Sequence, residues 1–213
     1  MNLIFIGPQG SGKGTQAQII SKRLNIAHIS ASHLIRNYEG SLKHEIDEII
    51  NGGGLISNPL TVELIKQRLE KLDCQNGFIL DGFPRTLEQA ELSKSLIKVD
   101  KVIEIDISDN EAVKRLSTRL TCNKCGFVYI QSQEVKENQE CLNCQKGLLI
   151  KRADDYKESI RKRLEIYHKE TKPILEFYKD KLIKINGEQS IEKVKKDILT
   201  NLMFNQNSLS NRE

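Results

Sequence analysis

No run of about 18 apolar residues occurs in the 213-residue chain, so no membrane-spanning helix is expected. An excess of one charge is also missing. Lys and Arg number 33 against 29 Asp and Glu, a net +4, which is too small and too scattered to predict a nucleic-acid partner but suits a site that binds several phosphates. Internal repeats and low-complexity linkers are absent. The opening MNLIFIGPQG is apolar but has no basic flank and runs straight into a glycine-rich loop, so it reads as a buried strand and not as a signal peptide, with a cytoplasmic location expected. Cysteines are few, and four of the five fall in two CxxC pairs, Cys122/Cys125 and Cys141/Cys144. Where thiols stay reduced, that usage disfavours a disulfide framework and favours metal. The fifth, Cys74, reads as an inert buried thiol.

With 38% hydrophobic and 29% charged residues, the chain is globular and long enough for one sizeable α/β domain or two small ones. Short apolar runs alternate with helical spacing throughout. Strands are expected at Asn2–Ile6, Ala27–Ser30, Phe78–Asp81, Lys101–Ile107 and Leu182–Asn186. Between them, helical patterns include residues 16–25, a stretch opened by Asn58 as cap with Pro59 at the first helical position and running to Leu72, a helix over Asn110–Leu120, and a long segment from Ala153 to about Lys179. A last helix covers Ile191–Phe204, and the polar tail NQNSLSNRE reads as frayed. Strand–helix alternation predicts an α/β doubly wound parallel sheet.

Gly7-Pro8-Gln9-Gly10-Ser11-Gly12-Lys13 fits GxxxxGK between a strand and a helix. Glycines there turn backbone N–H groups onto phosphate oxygens, and the positive end of the helix points at them. The general pattern puts a hydroxyl directly after the lysine. Here Gly14 intervenes and the hydroxyl is Thr15. FILDGFPRT places Asp81 at the carboxyl end of a buried strand, where an acidic residue helps hold Mg²⁺ in P-loop enzymes. Arg36, Arg85, Arg115, Arg119, Arg152 and Arg163 flank these segments, with Arg115 and Arg119 four apart and expected on one helix face. Phosphoryl transfer needs this kind of charge neutralisation more than a general base. The cysteine pairs, with fifteen residues between Cys125 and Cys141, match a closed tetrahedral structural Zn²⁺ site. A nucleic-acid-binding zinc ribbon attached to a P-loop ATPase is the rival from a different class. The insert argues against it, with acidic and basic residues in balance and only Phe127 and Tyr129 aromatic.

Together, GPQGSGKGTQ, DGFPRTLEQA, RxxxR before CxxC, KRADD and RKRLEIYHKETKP resemble the adenylate kinases, in their zinc-bearing, long-lid branch, over residues 1 to about 200. Gly14 before Thr15 is itself that family's pattern. The resemblance implies one P-loop kinase domain over 1–213, a monophosphate-binding helical flap at 30–56, a β-rich zinc lid at 118–155, and the reaction ATP + AMP ⇌ 2 ADP with Mg²⁺ in a monomer. It implies that Gly10, Ser11, Gly12, Lys13, Gly14 and Thr15 hold the ATP phosphates, with Arg119 on the ATP adenine and Val128, Tyr129 and Gln189 lining that side. It further implies that Ala31, Arg36, Gly54, Leu55, Ile56, Gly82, Phe83, Pro84, Arg85 and Gln89 form the AMP site. Gln89 would read the adenine edge, while Arg115, Arg152 and Arg163 grip the transferring phosphate. One stretch departs from the family: Ala31-Ser32-His33 stands where a Thr-Gly-Asp is usual. That departure keeps open a kinase with altered or relaxed monophosphate selection.

Overall fold

The computed structural model describes residues 1–207. The polar tail from Ser208 onward lies outside the described residues. The chain runs β1 (Asn2–Ile6), α1 (Lys13–Leu24), β2 (Ala27–Ser30), α2 (Ala31–Arg36), α3 (Lys43–Asn51), α4 (Asn58–Leu69), β3 (Phe78–Asp81), α5 (Leu87–Ser93), β4 (Lys101–Asp106) and α6 (Asp109–Ser117). Three short strands follow, β5 (Arg119–Cys122), β6 (Val128–Ile130) and β7 (Leu149–Ile150), then α7 (Lys157–Ile166), α8 (Ile174–Phe177), β8 (Leu182–Asn186) and α9 (Ile191–Asn207).

The five core strands form a parallel sheet in the order β2-β3-β1-β4-β8. Alternate residues of each strand serve opposite faces. Leu3, Phe5, Ile79, Ile103 and Ile105 pack on Ala17 and Ile20 of α1 and on Val194 and Ile198 of α9. Ile4, Ile6, Leu80 and Val102 pack on Ile65 of α4, Ala90 of α5, Tyr167 and Ile174. Burial on both faces explains why the central strands β1, β3 and β4 read as continuous apolar runs, while the edge strands β2 and β8 alternate. Each fully buried Leu, Ile or Phe contributes about 1.5–3 kcal/mol. Order 2-3-1 with β4 on the other side of β1 makes the end of β1 the point where the chain's winding reverses, and the glycine-rich loop leaves the sheet there.

Several expected elements differ in detail. The helix expected over Asn110–Leu120 ends at Ser117, and Arg119 begins β5. Thr118 leaves helical geometry, and Leu120 and Cys122 are buried while Arg119 and Thr121 are half-buried, a period of two. Arg115 and Arg119 therefore do not share a helix face. At α4 the flanking residue is Ser57, Asn58 is the first helical residue with Pro59 behind it, and the helix stops at Leu69. The stretch from Ala153 is not one helix. Ala153–Asp155 is a 3₁₀ turn, α7 starts only at Lys157, and a π-helical turn, Tyr167–Thr171, separates α7 from α8. Asp154 and Asp155 face arginines, which fixes that turn.

Candidate active site

The loop from Gly7 to Gly12 carries the chain from the β1 terminus into α1. Gly12 flanks the helix at φ +88°, a left-handed conformation that glycine adopts without Cβ strain. Gly14 is small for a different reason: a Cβ there would lie 3.0 Å from Asp81 Oδ2. The residue after Lys13 must let the carboxylate of β3 reach the loop, which accounts for the displacement of the hydroxyl to Thr15.

Lys13 Nζ donates to Pro8 O at 3.0 Å, across the loop. Enclosure in the cleft lowers the Lys13 pKa to about 7, with Asp81 opposing that shift and Arg85, Arg163 and Arg119 adding to it. Asp81 is buried at the end of β3 with His28 Nε2 3.5 Å from Oδ2. Burial works against its charge, but His28, Lys13 and Arg85 outweigh it and hold the carboxyl below the usual range. The buried Ser11 hydroxyl has no partner among the described residues.

Beside the loop sit two acidic side chains that the sequence reading assigned no role. Asp154 meets Arg36 Nη2 at 2.8 Å, Arg163 Nη1 at 3.1 Å and both Nε and Nη2 of Arg152 at 2.9 Å. Asp155 accepts from Arg119 Nε and Nη2 at 2.7 and 2.6 Å and from Arg163 Nη1 at 2.9 Å. Both carboxylates are buried. Burial alone would raise Asp154, but Arg152, Arg163 and Arg36 hold it far below the carboxylate range. Burial, and then Arg152, lower Arg119 to about 10; burial lowers Arg163 to about 10 as well, so both stay charged at neutral pH. The signal available in the sequence was the Asp-Asp doublet that only Ala153 separates from Arg152.

One pocket gathers most of the expected monophosphate residues: Ala31, Arg36 and Gly54–Ile56 from α2 and the loop after α3, Gly82, Arg85 and Gln89 from the segment after β3, and Arg152 and Arg163 from the far side. Arg85 is anchored by Nε to Gly82 O at 2.9 Å and by Nη2 to Ser32 Oγ at 2.8 Å. Ser32, one of the three departures, thus adds a hydroxyl anchor. Ala31 is buried on the pocket wall. His33 makes an Asn37 contact through Nε2 at 2.9 Å, and its Nδ1 lies 3.3 Å from where a Cβ on Gly126 would stand. Burial, then His28, push its pKa down. Phe83 and Pro84 are not pocket lining. Their peptide is cis, and Phe83 is buried in the core below the site.

The nucleotide side is less fully gathered. Arg115 lies apart from the other arginines, with Nε on Glu111 at 2.7 Å, Nη2 on Gly187 O at 3.0 Å and Nη1 3.4 Å from Gly10 O. Arg119 belongs to the charged cluster instead. The sequence-based expectation placed Arg119 at the ATP adenine and Arg115 at the transferring phosphate. Gln189 is tied by Nε2 to Asn186 O at 2.9 Å and Asp197 Oδ2 at 3.1 Å. Val128 is half-buried on β6. The Tyr129 hydroxyl turns into the cysteine cluster, 3.4 Å from Cys141 Sγ, and accepts from Asn143 N at 3.0 Å. Burial, then Cys141, push that phenol up to about 12. Half-buried, Tyr129 packs against this subdomain's own core.

β6, β5 and β7 form a separate antiparallel sheet, closed at its tip by the two CxxC turns. Sγ of Cys122, Cys125, Cys141 and Cys144 all lie within 4.8 Å of one another, with Cys122–Cys144 and Cys125–Cys141 at 3.7 Å. Sulfurs about 2.3 Å from one ion stand about 3.8 Å apart at the corners of a tetrahedron. The four thiols are free of disulfides, and Lys124 N and Cys125 N each point at Cys122 Sγ from 3.4 Å. The group can hold a metal ion.

A parallel sheet with a glycine-rich phosphate loop at its switch point, an ionised carboxylate beside that loop and a ring of half-buried to buried arginines defines a P-loop phosphotransferase. A model of the adenylate kinase family matches residues 5–183. An adenylate kinase of Treponema denticola is 44% identical over 200 residues, covering 91% of this chain and 95% of the relative. Adenylate kinases of Thermosipho africanus (41% over 210 residues, 93% and 98% covered) and Archaeoglobus fulgidus (39% over 209 residues, 93% and 96%) are also similar. The chain belongs to the adenylate kinase family.

Proposed function

We propose that the protein catalyses reversible Mg²⁺-dependent phosphoryl transfer from ATP to AMP, giving two ADP. One observation carries the reading: Lys13, Arg36, Arg85, Arg119, Arg152 and Arg163 converge on one cleft where, among the described residues, Asp81, Asp154 and Asp155 balance them. Buried cations in excess are costly without a partner. Phosphate groups entering between two nucleotide sites supply that partner. Arg36 Nε, buried and unpaired among the described residues, is a donor available to such a group.

In this reading Gly10–Thr15 cradle the ATP phosphates, and Lys13 follows the transferring group. Arg85 and Arg36 hold the AMP phosphate, and Gln89 meets its base. Arg119, Arg152 and Arg163 neutralise charge at the transferring phosphate. Arg115, against Gly10 and Gly187, takes the ATP base side with Val128 and Gln189, so the roles first expected for Arg115 and Arg119 are exchanged. The ionised Asp81 and the unpartnered Ser11 hydroxyl beside the loop fit a Mg²⁺ ion carried by ATP. Asp81 would hold it through water, with the Thr15 hydroxyl near. Bound there, the ion would neutralise charge on the phosphates. Residues 30–56 act as a flap over the monophosphate, and residues 118–155 act as a lid that excludes water so that phosphate passes to AMP. Zn²⁺ on the four cysteines holds the lid in shape. A monomer in the cytoplasm fits this role.

A kinase of relaxed base selection is not favoured, given the family and the presence of Gln89. Incubation with ATP, AMP and Mg²⁺ is expected to form ADP, with ATP consumption stopping when AMP is omitted. ATP consumption independent of AMP would defeat the reading.

A further inference from the structure

A glutamine amide is a weak discriminator by itself. Turned one way it presents a donor and an acceptor that fit adenine, whose amino group donates beside an accepting ring nitrogen. Turned over, it fits guanine, whose carbonyl accepts beside a donating ring N–H. A glutamine that reads one base must therefore be held against flipping. Gln89 is buried at the pocket wall, and both ends of its amide are engaged. Arg85 N donates to Gln89 Oε1 at 2.8 Å, and Gln89 Nε2 donates to Asn58 Oδ1 at 3.0 Å.

Asn58 is itself locked. Its Nδ2 donates to Glu88 Oε2 at 2.7 Å, and its Oδ1 also accepts from Thr86 Oγ1 at 3.2 Å. The Thr86 oxygen already accepts from Gln89 N at 3.1 Å as the cap of α5, so its proton is free to point at Asn58. The two ends of the chain admit one sense only: a backbone N–H can only donate, and an ionised carboxylate can only accept. Turning Gln89 over would set donor against donor at Arg85 and acceptor against acceptor at Asn58. Each amide atom of Gln89 keeps one hydrogen-bonding position for a ligand, a donor on nitrogen and an acceptor on oxygen.

We propose that Asn58 is a positioning residue that fixes the orientation of the Gln89 amide and so makes the monophosphate site select adenine over guanine. The inference rests on the reading of Gln89 as the residue that meets the base. It gives Asn58, which the sequence pattern presents only as a helix cap, a part in specificity that works by penalising the wrong base.

The test compares kcat/KM for AMP and for GMP, with ATP as donor, in the wild type, in Asn58→Ala, in Glu88→Lys and in the double variant Asn58→Asp with Glu88→Gln. Asn58→Ala removes one of the two penalties for turning the amide over. The AMP-to-GMP ratio is expected to fall about tenfold, the order of one unpaired buried group, while kcat with AMP stays within about twofold. Asn58→Asp combined with Glu88→Gln keeps an acceptor toward Gln89 and supplies a donor toward position 58, and is expected to restore the ratio to within about threefold of wild type. Glu88→Lys, at an exposed position that leaves the fold alone, places a donor where Asn58 needs an acceptor and is expected to lower the ratio in the same direction. Ratios within twofold of wild type in both Asn58→Ala and Glu88→Lys overturn the inference. So does an equal loss in Asn58→Ala and in the Asn58→Asp, Glu88→Gln double variant, which would mean that packing matters and the acceptor does not. A wild type with no preference for AMP over GMP overturns both this inference and the reading of Gln89 beneath it.

Discussion

Lys13 titrates close to neutrality because its cleft is enclosed and ringed by guanidinium groups. Polyphosphate binding reverses that environment and must raise the pKa, since an anion in contact favours the ammonium form. The sign follows. Below about pH 7 the lysine is already protonated in the free protein, and binding takes up little proton at this site. Above it, binding takes up a proton, and affinity falls as pH rises until the pKa of the bound state is reached. Calorimetry of ATP binding at pH 8 in buffers of different ionisation enthalpy should show net proton uptake, shrinking toward zero near pH 6. Uptake that is absent at both pH values would mean that Lys13 does not meet the phosphates. The neighbouring arginines separate by role. Arg119→Met is expected to lower kcat by about 10²–10³, the usual loss for a group aimed at transition-state charge. Arg115→Met is expected chiefly to raise KM for ATP, with kcat within a few fold. Steady-state kinetics of the two variants decide the exchange; a larger kcat loss in Arg115→Met than in Arg119→Met would restore the original assignment. The glycines, Lys13, Asp81 and Arg85 were legible because they lie in contiguous motifs whose residue types the chemistry restricts. The pairing of Asp154 and Asp155 with Arg36, Arg119 and Arg163 was not, because it joins segments that only the fold brings together.

Among the elements, the cysteine subdomain and the strand before it show where pattern reading succeeds and where it stops. Two CxxC pairs specify a knuckle geometry at short range, and the four sulfurs do converge. The end of α6 was missed by three residues. In KRLSTRLTC helical and strand spacing overlap, and pairing of β5 with β6 and β7 settles the outcome. The subdomain's own core is small, with Leu120, Leu149, Cys122 and Cys141 at its centre, so a bound ion should supply much of its stability. Protein purified without chelator is expected to contain about one equivalent of Zn²⁺ by elemental analysis. Its removal with a chelator, or by Cys141→Ser, should loosen residues 118–155 in hydrogen exchange while β1–β4 keep their protection. Less than about half an equivalent of Zn²⁺, or unchanged exchange after removal, would contradict a structural metal.

Across the whole molecule, the alternation of apolar runs and helical stretches gave the layered parallel architecture directly, since each crossover needs a helix. Strand order is a different matter: nothing local in β2 dictates that it pairs with β3 and leaves β1 free to meet β4. That order places the phosphate loop, Asp81 and the monophosphate pocket along one edge of the sheet, with the second sheet carrying Arg119 beside them. Two sites facing one charged cleft can pass a phosphoryl group between nucleotides, whereas a single site open to water would release it. The central claim is therefore tested most directly by product balance. With ATP, AMP and Mg²⁺, quantitative separation of the nucleotides should find two ADP formed for each AMP consumed, with inorganic phosphate at only a few per cent of the ADP. Phosphate released in step with ATP loss while AMP stays unchanged would contradict the account, and the cleft would then belong to an ATPase.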